Sequence, residues 1–133
     1  MKPPTMRAIE HAIRSSWTAE TSDRPHEWAA DNPSRGQCGT TAFVIRDLLG
    51  GDVVVARIVG TEPQEHHAWN RFASGFELDL TWDQFAYPPE LIECQVPEAA
   101  LVDLSGVQAE LLRSSVIERL AAFSAAESGH SAT

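Results

Sequence analysis

Apolar residues return at helical intervals near the start of the chain. Met6, Ile9, Ile13 and Trp17 share one face, with Arg7, Glu10 and Arg14 on the wet side. With Pro3-Pro4-Thr5 as the break before them, this spacing predicts an amphipathic helix over 5–17. Polarity takes over from Thr18 to Gly36, where Thr21-Ser22-Asp23, Pro25 and Asp31-Asn32-Pro33 mark turns and Trp28 is an anchor for the loop. The pattern then inverts. From Gln37 to Leu49 only Arg46 and Asp47 carry charge, so this predicted helix must be covered over most of its circumference, and Gly50-Gly51 stops it.

The β-branched run from Asp52 to Val59 reads as a strand ended by Gly60, with 61–65 as a loop. Two short strands follow, His67 to Phe72 and Phe76 to Leu80. Their connection decides which side chains meet. A two-residue Ser74-Gly75 turn would oppose Phe72 to Glu77. A three-residue Ala73-Ser74-Gly75 loop, with Gly75 left-handed, opposes Phe72 to Phe76 and Arg71 to Glu77. The second register pairs ring with ring and cation with anion, contacts worth roughly 0.2–1 kcal/mol each. It gathers Ala68, Phe72, Phe76, Leu78 and Leu80 on one face and His67, Trp69, Arg71, Glu77 and Asp79 on the other, with His67 diagonal to Asp79. Beyond it, Thr81 caps a turn through Phe85, and Leu91 to Val96 reads as a strand. Residues 98–104 read as loop. A last helix runs from Ser105 or Gly106 to about Phe123, on Val107, Leu111, Leu112, Val116 and Leu120. The organisation is a single α+β domain over 1–123 and a flexible tail over 124–133.

A 133-residue chain with 43% hydrophobic residues is long enough for one true core. The net charge of −9, from 19 acids against 10 bases, argues against nucleic acid or an anionic membrane as partner. No stretch of about 18 apolar residues exists to span a bilayer, and Met1-Lys2-Pro3-Pro4-Thr5 does not lead into an apolar signal core. The expectation is a cytoplasmic protein with Cys38 and Cys94 both reduced. No cofactor is expected, and the oligomeric state is left open.

Chemistry concentrates at Cys38. A thiol in the first turn of a helix sits where unpaired N–H groups and the positive end of the helix dipole favour a thiolate. His67 is the candidate base that takes its proton, and Asp79 the carboxylate that orients the ring. An oxyanion would be met by the Cys38 N–H and an amide from Gln37 or Asn32. Trp69, like Trp82 and Phe85, suits a pocket wall. Two other readings compete. In one, Cys38 is a buried apolar residue of a catalytically inactive binding module. In the other, Cys38, His66, His67 and Asp79 hold zinc in a hydrolase, although adjacent histidines on a strand face opposite ways. Cys94 has no partner histidine and reads as structural.

Gly36-Gln37-Cys38, the Gly50-Gly51 stop, His67-Ala68-Trp69-Asn70 and Asp79-Leu80-Thr81-Trp82-Asp83-Gln84-Phe85, with Ser16-Trp17 and Glu20-Thr21-Ser22 upstream, resemble the YunG-like family of small bacterial proteins. The resemblance spans roughly residues 5–86. It implies a papain-like or transglutaminase-like fold, a cysteine-bearing helix on a small antiparallel sheet, with Cys38, His67 and Asp79 as the triad positions. Similarity to papain-like enzymes favours Asn32, six residues before the cysteine, for the oxyanion role. The expected reaction is acyl transfer through a thioester on Cys38, resolved by water or an amine. A domain without a second lobe cannot build a long protease cleft, so a small amide, ester or peptide-like substrate is expected.

Overall fold

The computed structural model describes residues 3–95 and 98–131. Helix α1 is Met6–Ser16 and α2 is Cys38–Leu49; strands β1 (Asp52–Ile58), β2 (His66–Arg71), β3 (Glu77–Leu78) and β4 (Leu91–Cys94) follow, then α3 (Glu98–Ser131). The described residues thus form three α-helices and a four-stranded antiparallel sheet in the order β3-β2-β1-β4. It is an α+β fold.

Thr5 starts α1 by accepting the Ala8 N–H at 3.1 Å. The apolar face of α1 enters a core in which Ile9, Ile13 and Trp17 meet Val44 and Ile45 of α2, Leu80, and Leu112 and Val116 of α3. On its other side α2 presses Ala42 onto Val55 and Ala68 of the sheet. Helices on one flank and strands on the other explain why α2 carries so little charge. Trp17 also crosses to α2, donating its indole N–H to the Thr41 hydroxyl at 2.9 Å.

The β2–β3 connection is the three-residue loop. Arg71 pairs with Glu77 and Asn70 with Leu78, and the Phe72 N–H donates to the Phe76 carbonyl at 2.8 Å. Gly75 has φ +89°, the left-handed conformation that the loop needs. The Phe72 and Phe76 rings stack at 6.2 Å, but Phe76 stays exposed: it covers Phe72 from outside and does not enter the core.

The C-terminal part departs from expectation. α3 begins at Glu98, where a loop is expected, and runs through the 124–133 stretch as far as Ser131. Glu98-Ala99-Ala100-Leu101 and the alanines after Phe123 are strong helix formers, and propensity carries the helix past its packed part. That part is short. Leu112 and Val116 are fully buried, while Val107 and Leu111 are exposed. β4 ends at Cys94; the Val96 end of the expected strand lies outside the described residues. Among the described residues no helix is long and apolar enough to cross a membrane.

Candidate active site

The loop that delivers Cys38 is sewn to the segment before it. The Ser22 hydroxyl donates to the Arg35 carbonyl at 2.7 Å and accepts the Arg24 N–H at 2.9 Å, and the Asp23 N–H donates to the Gly36 carbonyl at 2.9 Å. Gly36 has φ +77°, and a Cβ there would lie 2.2 Å from Ser22 Oγ and 2.8 Å from the Arg24 nitrogen. Only glycine fits. Gln37 follows, fully buried. Its Oε1 accepts the Thr21 hydroxyl at 2.8 Å and its Nε2 donates to the Thr18 carbonyl at 2.9 Å.

That engagement corrects the oxyanion assignment. Both halves of the Gln37 amide satisfy buried partners, so Gln37 pins the start of α2 and offers nothing to a substrate. Asn32 is not brought to the thiol either. It sits in a turn bridging to Ala29 and is absent from the wall of the cavity that Cys38 lines. The donors that remain are backbone. The first intrahelical bond of α2 is from the Thr41 N–H to the Gln37 carbonyl, so the Cys38 and Gly39 N–H groups have no place in the ladder. Both residues line that cavity.

His67 is 1% exposed on β2. Its Nε2 donates to Asp79 Oδ2 at 2.5 Å, the diagonal contact that the hairpin register implies. Asp79 stands just past β3, and its second oxygen accepts the Thr81 N–H at 3.1 Å and the Thr81 hydroxyl at 3.3 Å. Thr81 therefore orients Asp79, where a cap for the following turn is expected from the sequence. Gln84 continues the chain of contacts: Nε2 donates to the Thr81 carbonyl and hydroxyl, and Oε1 accepts the Gly36 N–H at 3.3 Å. One buried amide thus couples the carboxylate's segment to the cysteine's loop. Arg14, expected to face water, clasps the same segment through the Leu80 carbonyl at 3.0 Å and Asp83 at 2.7 Å.

Aromatic rings enclose the imidazole. Trp69 stacks on it at 5.8 Å, Phe85 meets it edge-on at 5.0 Å, and Trp82 is tilted at 5.9 Å. Trp69 backs the histidine and donates its indole N–H to Glu77 at 2.8 Å, standing outside the wall of the main cavity. Cys38 and His67 both line that cavity, of about 610 Å³. Burial pulls the imidazole pKa down, but the Asp79 hydrogen bond and the neighbouring Cys38 sulfur outweigh it and raise the pKa to about 9. The sulfur acts without a well-aligned bond, since His67 Nδ1 is buried with no hydrogen-bond partner among the described residues. With Nε2 taken by Asp79, Nδ1 is the nitrogen left for proton transfer.

His66, one residue earlier, is exposed and also lines the cavity. Among the described residues no three His, Cys, Asp or Glu side chains converge as a metal-ligand set. Cys94 is free and donates weakly to the Val55 carbonyl.

The family model described as "YunG protein" matches residues 5–121. The chain is 33% identical over 112 residues to the Bacillus subtilis (strain 168) protein called "Uncharacterized protein YunG", covering 81% of this chain and 88% of that one. No solved structure matches.

Proposed function

We propose a cysteine-dependent acyl-transfer activity for this chain, which belongs to the YunG family. The observation that carries the proposal is the state of His67: buried, bound at Nε2 by Asp79, unpartnered at Nδ1, and raised in pKa partly by Cys38. Cys38 lines the same cavity as this ring, so its thiol is placed to hand a proton to the free Nδ1 while Asp79 balances the charge that results.

In this mechanism the Cys38 sulfur attacks the carbonyl carbon of an amide or ester. The Cys38 and Gly39 N–H groups receive the oxyanion. The Nδ1 proton passes to the departing amine or alkoxide as its bond to carbon breaks, leaving a thioester on Cys38. Water or an amine then attacks, Nδ1 takes its proton, and the carbon–sulfur bond breaks. Asp79 keeps the ring oriented and stabilises its charge throughout. The order of parts supports a papain-like or transglutaminase-like placement: a cysteine opening a helix, and a histidine and aspartate across a hairpin of the sheet that helix packs on. A thiol nucleophile needs a reduced cysteine, so the proposal places the chain in a reducing compartment such as the cytoplasm.

Alkylation by iodoacetamide at pH 6.5, with the adduct located by peptide mass spectrometry, tests the pair. Cys38 is expected to react at least about tenfold faster in the native chain than in His67→Ala or His67→Gln. Equal rates in all three would favour an inactive binding module.

A further inference from the structure

We infer that the acyl group carried by Cys38 is an uncharged apolar chain, seated in the cavity beside the thiol; this rests on the acyl-transfer reading above. The cavity's volume of about 610 Å³ falls within the range of small-molecule sites. Its apolar wall is made by Phe43, Val53, Val55, Ile58, Ala68 and Phe85. Val55 and Ala68 face each other across β1 and β2, so the wall begins at the residue next to His67. A chain attached at the sulfur would have this surface within reach.

The charged part of the lining closes on itself. Arg24 reaches Glu27 at 3.3 Å and Glu65 at 2.5 Å; Arg35 reaches Glu27 at 3.1 Å and Glu65 at 3.5 Å. Each guanidinium is shared between two carboxylates, and the four-membered ring is neutral. An anionic acyl group would have to break these pairs to gain a guanidinium, the His67 ring of the same lining is already paired with Asp79, and Asp23 would repel the anion, which leaves it only the exposed His26 and His66 rings. An apolar chain disturbs none of them.

The test is acylation of Cys38 by p-nitrophenyl acetate, butyrate and hexanoate and by the p-nitrophenyl half-ester of glutarate. It is followed as the p-nitrophenolate burst and the mass of the thioester. Each ester transfers its acyl group to sulfur as the carbon–oxygen bond breaks and p-nitrophenolate leaves. The second-order rate is expected to rise with chain length, toward the roughly fourfold per methylene that full burial gives, and the glutarate is expected to be slowest. In Val53→Phe, which fills the cavity, the ratio of the hexanoate rate to the acetate rate is expected to fall toward one. A flat chain-length series, or a faster glutarate, with His67-dependent iodoacetamide labelling intact, overturns the inference and leaves the catalytic reading standing. Absence of both labelling and acylation overturns the two together.

Discussion

Thr81 holds the Asp79 oxygen that His67 leaves, through its N–H at 3.1 Å and its hydroxyl at 3.3 Å. The carboxylate is thereby fixed from one side by a turn and from the other by the imidazole, at 2.5 Å. Its orientation does not depend on the histidine. An aspartate prepositioned in this way can set the ring's tautomer and stabilise its charge without reorganising during the reaction.

Removing the carboxylate should therefore affect rate and pH profile together. In Asp79→Asn, kcat/KM is expected to fall by about 10²-fold or more, and the loss of activity on the alkaline side should move to lower pH. Thr81→Val is expected to give a smaller loss with the same sign. Steady-state kinetics from pH 6 to 10 on a reactive ester checks both. An unchanged alkaline limb in Asp79→Asn would remove the aspartate from the mechanism.

The elevated His67 pKa gives stability a definite slope. The native ring keeps its proton up to about pH 9, whereas the unfolded ring releases it near 6.5. The stabilisation is thus complete below 6.5 and is lost as pH rises through 9, by at most about 3 kcal/mol. Urea midpoints at pH 6 and pH 9.5 should fall more in the native chain than in His67→Gln.

Gln37→Ala separates a clamp from an oxyanion donor. The truncation removes two buried hydrogen bonds, worth about 0.5–1.5 kcal/mol each, while the Thr21 hydroxyl and the Thr18 carbonyl keep each other as partners. Activity of the remaining folded protein should drop less than tenfold, where loss of an oxyanion donor typically costs about 10²–10³-fold. Thermal unfolding measured beside kcat distinguishes the two.

Gly36→Ala should be severe. It combines a left-handed φ with a Cβ 2.8 Å from the Arg24 backbone nitrogen, and a loss above about 2 kcal/mol is expected. Chemical denaturation measures it. A near-neutral result would mean that the loop before Cys38 is not sewn as described.

What could be read from the sequence was local periodicity and pairing. The alternation through the hairpin and the Ala73-Ser74-Gly75 loop were enough to place His67 near Asp79, because a strand pair with a fixed loop length has one register. The mostly apolar run after Gln37 likewise announced α2. Contacts between distant segments were not legible. Nothing in the spacing says that the Gln37 amide turns to Thr18 and Thr21, that Gln84 reaches back to Gly36, or that Arg14 folds back onto Leu80 and Asp83. The Thr81 contact does have a sequence signal, since Asp79-Leu80-Thr81 is the spacing at which an aspartate accepts the N–H two residues on. α3 outruns the pattern of polar and apolar positions because that pattern undervalues alanine-rich ends.

Titration of the His67 ring by NMR addresses the coupled pair without any substrate. The native chain should show an imidazole pKa of about 9, falling in Cys38→Ala and in Asp79→Asn as each raising interaction is removed. A His67 that titrates near 6.5 and ignores the loss of Cys38 would contradict the thiolate–imidazolium pair.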